Sequence, residues 1–171
     1  MCYFLFIASP LTLSEVRSMV PDGITADLAD PREQRMLKPL RRGTQTVARL
    51  LIGRCSCDFI HQRQSDRHSD ERHLRERYRA LGVDRQTIIS SLDRHRFGAS
   101  IPAPEEGWPQ GLVGFVLEHA RNAGPTVYQL AFLPAGSQLG SPPEPRRVHT
   151  SQVTQDLESW LVEDSPALIV R

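Results

Sequence analysis

The sequence predicts an α+β protein in which helices cover one mixed sheet of about four to five strands. Three observations support this class. Apolar runs of strand length occur at the start, in the middle and towards the end of the 171-residue chain. Between them, apolar residues recur at helical spacing. A chain of this length is most simply one domain, residues 1–171, with a helical segment at about 66–98 inserted between strands.

Before the middle of the chain, the sequence predicts one strand and two short helices. They cover residues 2–9, 12–20 and 30–37. The first apolar run ends at a proline, which suits a buried strand. Thr12 and Glu15 have the spacing of a capping box, and Asp30 followed by Pro31 is favourable at the start of the second helix. The remainder of residues 24–45 is predicted to be loop.

The central strand is predicted within residues 46–60, which read TVARLLIGRCSCDFI. Its Val, Leu and Ile content is typical of a strand that is buried on both faces. If the first helix makes a simple crossover, this strand runs parallel to the strand at 2–9. Arg49 is the single charge in the apolar part, and a buried arginine requires a carboxylate partner. That partner would indicate either an ion pair that fixes the fold or an anion site.

The second half is predicted to contain three helices followed by strands. The helices cover residues 69–80, 84–97 and 108–123, and the strands cover residues 126–133, 146–154 and 167–170. Gly124 followed by Pro125 ends the third helix. His119 lies on the apolar stripe of that helix, where a hydrogen-bonded core histidine is favoured over a ligand. Residues 156–162 fit a helical turn or a strand equally well.

Composition limits the location and the partners. The net charge of +1 gives no field that would steer the whole protein to nucleic acid or to an anionic membrane. The apolar start of the chain is shorter than a membrane span and has no basic region before it, so we expect no transmembrane segment. Three cysteines, two of them one residue apart, do not form a disulfide framework. We therefore expect reduced thiols and a cytoplasmic protein.

Cys55, Cys57 and His61 form the one group of residues with metal-ligand chemistry. Two residues that are two positions apart in a strand face the same side, so both thiols would point together. Two thiolates and an imidazole could hold zinc or copper, and a closed zinc site would need a fourth ligand from Cys2, His68 or His73. The expected parallel alignment of the two strands argues against Cys2, because it would place Cys2 and Cys55 at opposite ends of the sheet. A reactive thiol with His61 as its base is a second alternative. The preferred interpretation is inert, buried thiols and no cofactor.

Residues 61–96 contain nine arginines, four histidines and six acids, a formal charge of +3 with neutral histidines. The acids alternate with the arginines at helical pairing distance, which is typical of a solvated, salt-bridged helical face. Such a face also suits a protein partner with an acidic surface, because arginine is enriched at interfaces. Nucleic acid is a third alternative. The candidate partner-binding residues are Arg63, Arg67, Arg72, Arg75 and Arg79.

The sequence has no Gly-rich phosphate fingerprint, no Walker sequence and no GxSxG or HExxH motif. The Arg-Arg-Gly-Thr turn at 41–44 could hold an anion, although a plain polar turn is more usual. We therefore expect a non-catalytic accessory or structural subunit, an interaction module that docks in a larger assembly through arginine-rich helices. The competing hypotheses are a thiol- or metal-dependent enzyme or sensor using Cys55, Cys57 and His61, and a nucleic-acid-binding protein.

Overall fold

The computed structural model describes residues 2–52, 56, 75–76, 78–80, 82–89, 108–133 and 139–171. The chain divides into two compact units. The smaller contains residues 61–103 with residue 1, and the larger contains residues 2–60 and 104–171. The single-domain organisation stays a prediction.

The larger unit is built on one mixed sheet of six strands, so the predicted α+β class is confirmed. The strands are β1 (Cys2–Ser9), β2 (Thr25–Leu28), β3 (Thr46–Leu51), β4 (Thr126–Leu133), β5 (Arg146–His149) and β6 (Ala167–Val170). Their order across the sheet is β2-β3-β1-β4-β6-β5, and only β5 and β6 pair in parallel. The predicted strand count was too low because β2 was predicted as loop. Its sequence, TADL, is short and polar at alternate positions.

Three α-helices are described in this unit: α1 (Leu13–Met19), α2 (Pro31–Leu37) and α3 (Trp108–Ala123). Single 3-10 turns occur at Lys38–Leu40, Thr150–Gln152 and Leu157–Ser159. Both short helices start as predicted. The Thr12 hydroxyl accepts a hydrogen bond from the Glu15 amide, and the Glu15 carboxylate accepts one from the Thr12 amide. Asp30 and Glu33 form the same reciprocal box at the start of α2.

The first four strands are connected by two interleaved crossovers. β1 and β2 run parallel to each other with α1 between them in sequence, and β3 lies between them in the sheet. β3 and β4 are likewise parallel and separated by β1. This is the split β-α-β arrangement. The expected parallel alignment of β1 and β3 is wrong: they are antiparallel, with Leu5 opposite Leu50. The crossover through α1 leads to β2, and the chain then reverses through α2 into β3.

The sheet is buried on both faces. On one face lie α3 and α1, which cover the inner side chains of β1 and β4, including Leu5 and Tyr128. On the other face, Leu37 of α2 packs with an apolar cluster whose other members are Phe6, Ala8, Ala29, Val47, Val127, Ala131 and Leu139. Burial on both faces explains why β1, β3 and β4 read as near-continuous apolar runs.

Each edge strand has one outward-facing backbone group that is already occupied. On β2, the carbonyl of Ala26 accepts a hydrogen bond from Arg17 Nε at 2.8 Å. On β5, the amide of His149 donates to Gln152 Oε1 at 2.9 Å. Pro145 comes directly before β5 and has no amide hydrogen to offer. Both edges of the sheet are thus partly closed by neighbouring residues.

In the smaller unit, residues 75–76, 78–80 and 85–89 are helical. They agree with the two helices predicted for this region. The first ends in a turn at Gly82, with φ +70°, where the Val83 amide donates to the Tyr78 carbonyl. Asp84 caps the next helix by accepting from the Thr87 amide at 3.0 Å. In the part of the chain that the structure describes, none of the helices is long and apolar enough to cross a membrane.

Candidate functional site

Three buried polar side chains form a hydrogen-bonded chain between the sheet and α3. His119 of α3 lies with its Nε2 2.9 Å from Ser9 Oγ, at the end of β1. Its Nδ1 lies 3.0 Å from the hydroxyl oxygen of Tyr128 in β4. Ser9 Oγ also accepts a hydrogen bond from the Leu11 amide at 2.9 Å. The chain therefore joins α3 to two neighbouring strands at one end of the sheet.

Burial keeps these three hydrogen-bonded side chains uncharged. The pKa of His119 is lowered from 6.5 to about 4, mainly because burial disfavours the imidazolium and additionally because Arg41 is positively charged. Burial likewise raises the pKa of Tyr128 well above its ordinary value of 10. The ring of Phe115 stacks on the imidazole, with centroids 5.4 Å apart. At neutral pH His119 is thus a neutral ring that donates from one nitrogen and accepts at the other.

A serine hydroxyl beside an imidazole is also the arrangement of a nucleophile and its base. Here Ser9, His119 and Tyr128 are all fully buried. A group in the core contributes fixed geometry, and breaking one of its hydrogen bonds leaves a polar atom without a partner. The structure therefore supports a structural role for the three side chains, as the sequence favoured for His119.

Arg41 lies near this end of the sheet and is partly buried. The chain after it is fixed to β1, because the Gln45 amide donates to the Ser9 carbonyl at 2.8 Å. Arg41 Nη1 donates to the carbonyl of Arg42 at 3.0 Å. Its Nε is buried and has no hydrogen-bond partner among the described residues. Burial lowers the pKa of Arg41 below its ordinary value.

Arg49, the charge within the central strand, has the carboxylate partner that the sequence required. Its Nε donates to Glu33 Oε2 at 2.9 Å and its Nη2 to Glu33 Oε1 at 2.6 Å. A weaker contact joins Nη2 to Asp30 at 3.3 Å. The guanidinium also lies 5.0 Å from the centre of the Phe4 ring. Because Glu33 is buried and also caps α2, this bidentate pair attaches α2 to the sheet, and the fold-fixing alternative is correct.

Most of the predicted site residues lie outside the described residues. These are Cys55, Cys57, His61, Arg63, Arg67 and Arg72, together with the suggested fourth ligands His68 and His73. Among the described residues there is no group of three His, Cys, Asp or Glu side chains that could hold a metal ion. Arg75 and Arg79 are described, and both are exposed in helical residues.

Ser56, between the two cysteines, is buried and well fixed. Its amide donates to the Tyr3 carbonyl at 2.9 Å, and its Oγ accepts from the Leu5 amide at 2.7 Å. The hydroxyl also donates to the Leu50 carbonyl at 2.6 Å. One serine therefore makes three hydrogen bonds to β1 and β3 at the point where β3 has ended.

Sequence reasoning did not identify Ser9 or Tyr128 as partners of His119. Each reads as an ordinary residue of an apolar strand, and nothing local indicates which strand α3 covers. Glu33 lies three positions after Asp30, the spacing of a capping box. Its second role, as the partner of Arg49, depends on α2 lying over β3. Comparisons with protein-family models, curated proteins and solved structures return no match. A functional assignment for this chain therefore rests on its own residues and their geometry.

Proposed function

We propose that this protein is a non-catalytic interaction module, an accessory or structural subunit that docks on the acidic surface of a protein partner through its arginine-rich helices. The supporting observation is the pair Arg75 and Arg79. They are four positions apart in helical residues, so they lie on the same face one turn apart, and both are exposed. Neither makes a salt bridge to another residue that the structure describes.

The chemistry of this pair suits carboxylates. A guanidinium presents a planar fork of donors that matches a carboxylate in two parallel hydrogen bonds. Asp84, the acid at the start of the following helix, is engaged locally, because it accepts from the amide and the hydroxyl of Thr87. These hydrogen bonds lower the pKa of Asp84 and keep it ionised as a helix cap. Tyr78 is buried and helps to fix the helix that carries the two arginines.

Affinity purification of the tagged protein from cells that express it naturally tests the proposal. We expect one acidic protein in near-stoichiometric amount. The double variant Arg75→Glu, Arg79→Glu should reduce its recovery about tenfold or more, because each lost charge-assisted contact contributes about 1.5–3 kcal/mol. The matched control is Arg32→Glu, Arg35→Glu, two exposed arginines of α2, which should leave recovery unchanged.

Equal recovery with both double variants would contradict docking through this face. Binding to duplex DNA that falls steeply with salt would instead support the nucleic-acid alternative. The thiol or metal alternative rests on Cys55, Cys57 and His61, all outside the described residues. Elemental analysis of the purified protein tests it: stoichiometric zinc, copper or iron that is lost in Cys55→Ser would favour that class over ours.

A further inference from the structure

The segment of residues 34–45, from within α2 to the start of β3, is rich in positive charge. Residues 34–45 contain Arg35, Lys38, Arg41 and Arg42 and no acidic residue. In the described part of the chain, none of these four side chains makes a salt bridge. The nearby Arg49 is different, since two carboxylates hold it. The cations of this segment therefore differ from the fold-fixing arginine of β3.

Arg41 is the member of this group with the most defined position. Its side chain folds back over its own turn, where Nη1 donates to the Arg42 carbonyl. Gly43 has φ +75°, and a Cβ built there would lie 3.7 Å from Arg41 Nη1. The Thr44 hydroxyl closes the turn by donating to the Arg41 carbonyl at 2.8 Å. The Arg41 side chain thus lies against its own turn and is partly buried.

The guanidinium of Arg41 makes few hydrogen bonds to the described residues for a partly buried charge. Among the described residues it makes one hydrogen bond, to a neutral carbonyl, and its buried Nε makes none. Partly buried cations are normally compensated by an anion, because desolvation is costly. Its field also reaches into the core, where it disfavours protonation of His119. Among the residues that the structure describes, no carboxylate offsets the charge of Arg41 at this turn.

We propose that the turn at residues 41–44 binds a phosphate-sized oxyanion, with Arg41 as its main ligand. Guanidinium donors match the oxygens of phosphate. The exposed Arg42 of the same turn adds positive charge, as does the exposed Lys38 three positions before Arg41 in the chain. The oxyanion is either inorganic phosphate or the phosphate group of a small phosphate monoester. The site lies in the larger unit and is independent of the proposed docking residues Arg75 and Arg79.

Isothermal titration with sodium phosphate, phenyl phosphate and sodium chloride at matched ionic strength tests this site in the full chain. We expect saturable binding of at least one phosphate source and none of chloride. Arg41→Gln should weaken binding about tenfold or more, since a charge-assisted hydrogen bond accounts for at least that factor. Arg42→Gln, the exposed neighbour, should weaken it less than about threefold. Phenyl phosphate binding more tightly than inorganic phosphate would indicate an organic monoester as the natural ligand.

The imidazole signals of His119 give a second readout by NMR. A bound anion offsets the charge of Arg41, so phosphate should raise the pKa of His119 in the wild-type protein, and chloride should not. Arg41→Lys keeps the charge without the fork and should bind phosphate more weakly than wild type, which covers the case in which Arg41→Gln fails to fold. Absence of phosphate binding by the wild-type protein, or undiminished binding by both Arg41 variants, would overturn the proposal.

Discussion

The buried imidazole of His119 makes the stability of the larger unit depend on pH. In the unfolded chain this histidine has its ordinary pKa of 6.5, and in the folded protein the pKa is about 4. As the pH falls below 6.5, the unfolded chain binds a proton that the folded protein does not. The stabilisation is therefore complete above pH 6.5 and is lost progressively down to pH 4. At about 1.36 kcal/mol per pH unit, the loss amounts to about 3 kcal/mol.

The variant His119→Gln isolates this contribution, because glutamine has no proton to gain in this range. Urea unfolding at pH 7, 6, 5 and 4 should show the wild-type protein losing about 3 kcal/mol more than the variant, each measured against its own value at pH 7. All other titrating groups are common to both proteins and cancel in the difference. His149→Gln makes the same replacement at an exposed histidine of β5 and serves as the matched control. Parallel profiles for wild type and His119→Gln would refute the assignment of a depressed pKa to this ring.

Three further substitutions, two of them each with a matched control substitution, test packing and polar contacts by urea unfolding at pH 7. Gly114→Ala, at an exposed helical position with open space, should stabilise the folded protein by about 0.5–1 kcal/mol. Its control, Gly111→Ala, should stabilise the protein less or destabilise it, because the new Cβ would lie 3.2 Å from a proline side chain. Glu33→Gln should cost about 2–3 kcal/mol by weakening the bidentate pair, against less than about 1 kcal/mol for Asp27→Asn in an exposed pair. Ser56→Ala should cost about 1–3 kcal/mol, since a buried amide and carbonyl of neighbouring strands lose their partner. Equal effects of the two glycine substitutions, equal effects of Glu33→Gln and Asp27→Asn, or an unchanged stability of Ser56→Ala would contradict these contacts.

Local signals were sufficient for much of the fold. The two capping boxes, the apolar stripe of α3 and the long strands β1, β3 and β4 are all encoded within a few consecutive residues. The polar four-residue strand β2 is not encoded locally, because its conformation is determined by its pairing with β3 and not by its own composition. Missing β2 also produced the wrong direction for β3, since the crossover from β1 ends at β2.

The site residues show the same division between local and long-range information. That Arg49 needs a carboxylate follows from its place in an apolar strand. The identity of that carboxylate, Glu33, depends on where α2 lies over the sheet, and the spacing of residues in the sequence does not reveal this position. His119 was expected to be a hydrogen-bonded core residue, and its partners Ser9 and Tyr128 come from strands more than a hundred residues apart.

The occupied groups on β2 and β5 have a consequence for how the protein behaves at high concentration. Arg17 and Gln152 each take up a backbone position that an incoming chain would use to continue the ladder. A strand of another copy that approached either edge would therefore meet one occupied backbone group, which disfavours edge-to-edge pairing at that position.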